Sequence, residues 1–330
     1  MRKRSSVSLQ SQVAARKFRR VDQAVSPMPD LQPMPSFHPS PRQPSLRLPP
    51  GACDAHCHVF GPAARFPFAA DRTFTPADAP KERLFALHAM LGIERCVVVQ
   101  STCHGFDNSV VADTIAARGG TYRGIALAPL SVSDRTLQEL HGQGFLGLRF
   151  NFMKHLGSAT PIEEIIKLTP RLAALEWHLQ VHFDSAWIDE LAPWFLRSAT
   201  PVVIDHMGRI DASRGLAQPA FRTLCRLMDD PRMWVKVSGS DRISRQGPPY
   251  SDAIPYARLL VDRFGDRTLW GTDWPHPNSE HVPDDGVLTE LLDQIAPSES
   301  LRQALLVENP QRLYRFPLLL EIETRPAAAS

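Results

Sequence analysis

No apolar run in this 330-residue chain approaches the roughly 20 residues that a membrane-spanning helix needs, and Leu318-Leu319-Leu320 is far too short to count. Cysteine is scarce and unpatterned. Cys53, Cys57, Cys96, Cys103 and Cys225 form an odd set of five without a C-x-x-C pair, which argues against a disulfide framework and against a cysteine zinc site. Small buried thiols in a reducing cytoplasm are the reading that remains. Net charge is low as well, +2 in total, but unevenly spread: residues 1–50 hold nine Lys/Arg against Asp22 and Asp30, a local +7 that leaves −5 for the rest. A mildly acidic folded part speaks against a nucleic-acid surface.

Residues 1–50 also carry nine prolines between Pro27 and Pro50 and no sustained apolar period. They read as a disordered Pro/Ser/Arg-rich extension, or as a transit peptide or a product of an upstream start codon. Residues 51–330 read as one catalytic domain. Within it, short β-rich runs alternate with helical patterns, the form of repeated βα units. The runs end at His56/His58, Gln100, Ala128, Asn151, Phe183, His206, Ser238 and Asp273, with helices expected near 80–91, 107–118, 133–142, 161–175 and 186–196 and again after 285. Eight such units in this length are the count and size of a TIM (β/α)8 barrel. A doubly wound open sheet is the alternative, but it usually carries a glycine-rich phosphate loop after its first strand, and none is present. The long connection through Phe66, Phe68 and Phe74 after the first run sits where a lid would.

Barrel enzymes place their chemistry at the C-terminal strand ends. In Asp54-Ala55-His56-Cys57-His58, the two histidines lie at i and i+2 and so point to one face of a strand. Other ends carry Thr102, Arg149, His182, His206, Ser238 with Arg242 just beyond, and Asp273. One polar strand end is ordinary, whereas this many converge on a rim. Arginines in a low-dielectric mouth need anionic partners, and planar carboxylate binding is their natural role.

The pattern of His-x-His, later histidines and a final aspartate resembles the amidohydrolase superfamily. The longer motifs Asp54-Ala55-His56-Cys57-His58-Val59-Phe60-Gly61-Pro62, Phe66-Pro67-Phe68, Cys103-His104-Gly105, Arg149-Phe150-Asn151-Phe152, Asp205-His206-Met207-Gly208-Arg209 and Trp270-Gly271-Thr272-Asp273-Trp274-Pro275-His276-Pro277-Asn278 resemble its 2-pyrone-4,6-dicarboxylate lactonase family over nearly all of residues 50–315. That resemblance implies an amidohydrolase-type barrel that opens a cyclic pyrone diacid to 4-oxalomesaconate during protocatechuate and lignin breakdown, without a metal or other cofactor. It further implies Asp273 as general base and His56, His58 and His206 as donors to the lactone carbonyl. Arg149 and Arg242 would hold the carboxylates, with Thr102 and Asn278 adding polar contacts, and His104, His276 and Arg209 acting as supports. The chain departs from the family at Phe74 and His182, where tyrosines are usual, and at His155, where a second arginine is usual; Lys154 offers a replacement cation.

Two other readings stay open. His182 restores a ligand expected at strand five, so His56, His58, His182 and Asp273 would hold one divalent ion, zinc or manganese, in a metal-dependent amidohydrolase or decarboxylase. A non-catalytic barrel that binds a small diacid is the second. The expected partner in each diacid reading is a small-molecule dicarboxylate, with no nucleic acid and no membrane.

Overall fold

The computed structural model describes residues 37–153, 160–279 and 281–317. Eight parallel strands follow one another round a single sheet in chain order. They are β1 (Cys53–Cys57), β2 (Arg95–Val99), β3 (Tyr122–Ala126), β4 (Phe145–Phe152), β5 (His178–Phe183), β6 (Val202–Ile204), β7 (Met233–Lys236) and β8 (Thr268–Leu269). Sequential order excludes the doubly wound alternative, whose strand order reverses at a switch point. Closure of the ring falls to β1 and the segment leaving β8: Ala55 N donates to Trp270 O at 2.8 Å, Asp273 N to His56 O at 2.8 Å and His58 N to Trp274 O at 2.6 Å. Asp54 pins the same joint. Its carboxylate accepts from Thr272 N at 3.1 Å, Thr272 Oγ1 at 2.6 Å and His56 N at 3.0 Å.

The strands are Val/Ile/Leu-rich because both faces are covered, the outer one by helices. α1 (Lys81–Leu91), α2 (Ser109–Ala116), α3 (Asp134–Gly142), α4 (Ile162–Ala174) and α5 (Ile188–Phe195) lie within a residue or two of their expected positions. α6 (Pro219–Leu227), α7 (Ser240–Ile243) and α8 (Ile254–Phe264) complete the alternation, and α9 (Asp285–Glu290) opens the final helical stretch. Leu84, Ile115, Leu172, Phe195, Phe221 and Leu260 are each buried from these helices against the barrel. No described helix is long and apolar enough to cross a membrane.

One expectation needs correction. Residues 1–36 lie outside the described residues, but residues 37–50, expected to be disordered, pack on the barrel. Arg42 N donates to both oxygens of Asp284 at 3.0 and 3.1 Å, and Gln43 Nε2 donates to Met90 O at 2.9 Å. Ser45 Oγ donates to Glu290 at 2.8 Å, and the ring of Phe37 lies 5.4 Å from that of Trp274. Proline-rich chain has few amides to satisfy, and here two carboxylates on α9 and its cap take them while Leu46 and Leu48 add apolar contact.

Candidate active site

Backbone geometry at the C-terminal strand ends aims the polar groups inward. His56 lies inside β1 and His58 one residue past it, so alternation points both into the barrel mouth. Beyond β6 and β8 the chain turns sharply: His206, Met207 and Arg209 have φ of 48°, 52° and 54°, and Asp273, His276 and Asn278 have 61°, 58° and 59°. Left-handed φ costs a non-glycine residue on the order of 1–3 kcal/mol. Six of the nine such described residues sit in these two loops, so the strain is concentrated where the side chains must be aimed. Gly239, after β7, lets His206 approach; a Cβ there would stand 2.8 Å from His206 Cβ.

Asp273 is the centre of the resulting cluster and is 2% exposed. Its carboxylate lies 3.4 Å from His58 Nε2 and 3.7 Å from both His56 Nε2 and His206 Nε2. Arg242, on α7, bonds Asp273 Oδ2 through Nε at 2.8 Å and Nη2 at 2.7 Å, and Pro277 O through Nη1 at 2.8 Å. Burial alone would push the Asp273 pKa up, but Arg242 and then His206 hold the carboxyl well below the usual range. Asp273 is therefore an anion at any working pH.

Behind each imidazole stands a different partner. His58 Nδ1 lies 2.7 Å from Val99 O, and since a carbonyl only accepts, that nitrogen carries a proton, while Nε2 turns to Asp273 Oδ1. His206 Nδ1 meets Ser238 Oγ at 3.0 Å. Under the rim, His56 Nδ1 meets Lys236 Nζ at 3.1 Å; Lys236 also reaches Gln180 Oε1 at 2.9 Å and Asp205 Oδ1 at 3.4 Å, while Asp205 Oδ2 accepts from Arg149 Nε at 2.9 Å and Gln180 Nε2 at 3.2 Å. Lys236, Gln180 and Asp205 were not singled out in the sequence. A lysine closing the apolar run Met233-Trp234-Val235 was the available signal.

His58, His206, Arg242 and Asp273 open onto a pocket lined also by Phe74, Thr102, Arg149, His182, Arg209 and Asn278, and His56, outside that lining, meets the site through Asp273 at 3.7 Å. All described residues expected at the site are thus brought together, while His155 and Lys154 lie outside the described residues. The arginines differ from expectation. Arg242 is tied to Asp273, and Arg149 gives Nε to Asp205 but keeps its terminal nitrogens for the pocket. Arg209, expected as a support, forms no hydrogen bond or ion pair among the described residues. Burial lowers its guanidinium to about 10, so it stays charged. His104 instead braces the loop after β1, through Pro67 O at 3.2 Å and Gly61 N at 3.4 Å, and His276 pairs with Asp285 at 3.0 Å.

The metal reading finds part of its ligand set. Donor atoms of His56, His58 and Asp273 lie within 4.8 Å of one another, but His182 is not among them: its Nδ1 donates to Asn151 Oδ1 at 3.2 Å on the neighbouring strand. Arg242 already neutralises the carboxylate, and the Lys236 ammonium abuts His56. A dication would enter a site walled by fixed cations, so these residues do not fit one.

Comparison with known proteins agrees with the architecture. The amidohydrolase family model matches residues 53–316. A 2-pyrone-4,6-dicarboxylate hydrolase of Comamonas testosteroni is 46% identical over 288 residues, 84% of this chain and 94% of the relative. A 4-sulfomuconolactone hydrolase of Hydrogenophaga intermedia is 42% identical, covering 81% and 89%. Among solved structures, a probable 2-pyrone-4,6-dicarboxylic acid hydrolase from Acinetobacter baumannii with citric acid bound superposes with a TM-score of 0.72 at 25% identity, over 81% of this chain and 100% of that one. On family match, identity and fold together, the chain belongs to the amidohydrolase family, in the branch of the 2-pyrone-4,6-dicarboxylate hydrolases.

Proposed function

We propose that this protein is a metal-independent lactonase that hydrolyses 2-pyrone-4,6-dicarboxylate to 4-oxalomesaconate in the breakdown of protocatechuate and lignin-derived aromatics. The observation that carries the reading is the convergence of three imidazole Nε2 atoms on Asp273, at 3.4 to 3.7 Å, within a pocket walled by arginines. Arg149 and Arg209 hold the two ring carboxylates, with Thr102 and Asn278 at their edges. Phe74 and His182, in place of phenols, form the remaining wall. The attacking water lies against Asp273 Oδ1. Asp273 takes its proton as the hydroxide adds to the lactone carbonyl, and His56 and His206 donate to the oxyanion. The ring C–O bond then breaks, the ring oxygen leaves as an enolate, and Asp273 returns the proton.

Binding also loosens the base. The substrate carboxylate held by Arg209 also faces Arg242, which lines the same pocket, and competes for the guanidinium that depresses Asp273, so Asp273 gains basicity as the site fills. Five free cysteines support a reducing, cytoplasmic setting. The test follows loss of the pyrone's ultraviolet absorbance before and after chelation, with metal content measured on the same sample. Turnover indifferent to chelation is expected. Turnover of 4-sulfomuconolactone alone would move the substrate to the other relatives' lactone, and turnover lost with a stoichiometric metal would overturn metal independence.

A further inference from the structure

Lys236 is wholly buried at the end of β7 and is not among the residues that line the pocket. An ammonium has three N–H donors and accepts nothing. Its hydrogens meet three acceptors: Gln180 Oε1 at 2.9 Å, His56 Nδ1 at 3.1 Å and Asp205 Oδ1 at 3.4 Å. Were the His56 proton on Nδ1, an N–H would abut the ammonium and a buried cation would lose a partner. Asp205 is the competing partner: its Oδ1 stands 3.2 Å from His56 Nδ1, but the same oxygen faces the Lys236 ammonium at 3.4 Å, and its Oδ2 accepts from Arg149 and Gln180. With the proton on Nε2 instead, the ammonium keeps all three acceptors, and the proton occupies a buried atom that has no hydrogen-bond partner among the described residues and lies 3.7 Å from Asp273.

We infer that Lys236 is a positioning residue that selects the Nε2–H tautomer of His56, making it a hydrogen-bond donor to the lactone carbonyl and denying its lone pair to a metal. Resting on the proposed lactonase reading for its catalytic consequence, the inference also gives a cause for the misfit to a divalent ion. Aspartate behind an imidazole leaves Nε2 as a lone pair, the form that ligates metals and takes protons. An ammonium in that place reverses the polarity. In a Lys236→Met variant, His56 Nδ1–H turns to Asp205 and the pocket-facing nitrogen becomes a ligand beside His58 and Asp273.

Nitrogen-15 NMR of histidine-labelled wild-type protein, assigned through a His56→Gln variant, tests the tautomer without any substrate. A pyrrole-type Nε2 at His56 is expected, and a pyrrole-type Nδ1 would overturn the inference whether or not the lactonase reading stands. In Lys236→Met the two nitrogens should exchange character, and dialysis against zinc should leave about one bound equivalent where wild type keeps none. Its kcat should fall about 100- to 1,000-fold, the loss of one oxyanion donor, with KM nearly unchanged. Lys236→Arg, which retains a buried donor cation, should restore the wild-type tautomer and exclude zinc. An unchanged tautomer in a folded Lys236→Met protein would also overturn the inference.

Discussion

Asp273 is held as an anion by Arg242, and that pairing makes it a weak base until the guanidinium is drawn away. Asp273→Asn is therefore expected to lower kcat about 100- to 10,000-fold, the usual contribution of a general base, while calorimetry still detects substrate binding. Loss of binding together with activity would instead assign Asp273 a structural role. In the free enzyme, the acid limb of kcat/KM should lie below the ordinary carboxylate range, because the Asp273 pKa is depressed. Arg242→Gln removes the chief depressing charge and leaves the burial that raises it, so that limb should move to higher pH. A pH–rate profile that does not move would count against Asp273 as the titrating base. Arg209→Met deletes a cation that spends no bond on the protein among the described residues, and KM should rise about 10- to 100-fold, the worth of one charge-assisted contact. His56, His58, His206 and Asp273 were legible in the sequence because strand-end position alone sets where they point. The division of their protons was not, since it depends on Val99 O, Ser238 Oγ and Lys236 Nζ arriving from other strands. Nor was it visible that Arg209, rather than Arg242, is the arginine without a bonded partner among the described residues.

Among the elements, β6 and β8 show what periodicity reads well and where it stops. The runs expected to end at His206 and Asp273 outlast their strands, which stop at Ile204 and Leu269. The catalytic residues beyond belong to left-handed turns that no apolar pattern encodes. α6 and α8 have no counterpart among the helices expected from the sequence, yet Pro219 starts α6 and Pro255 stands in the first turn of α8, where no amide donor is needed. Loop β7–α7 is pinned by Gly239, whose φ is 75° and whose missing Cβ makes room for His206. Gly239→Ala should lower kcat by an order of magnitude or more, a crystal structure of the variant showing His206 displaced; an undisturbed His206 would refute this role. The strap at 37–50 has the composition of a linker, and only its partners, Asp284, Glu290 and Trp274, reveal that it docks.

For the whole molecule, the barrel interior carries groups that must stay neutral. His56 and His178 are both pushed down to about 3, by burial first and Lys236 second, from the ordinary 6.5. Unfolding between pH 3 and 6.5 thus takes up protons at both, so stability is full above 6.5 and falls as pH drops through that window. Each proton contributes about 1.4 kcal/mol per pH unit. Asp205 and Asp273, depressed by their cations, extend the loss below their ordinary value of 3.8. A midpoint of thermal unfolding that stays level from pH 7 down to 4 would contradict this account. Eight sequential strands were legible as a barrel, but closure was not, because β8 supplies only two residues and the ring is completed by the loop that bears Asp273. The amides of Ala55, His58 and Asp273 that span this joint are consequently gauges of catalytic integrity. In hydrogen–deuterium exchange they should lose protection before the β4–β5 pairing does, and on warming, activity should vanish at a lower temperature than helical structure, with the chain still folded and able to recover on cooling.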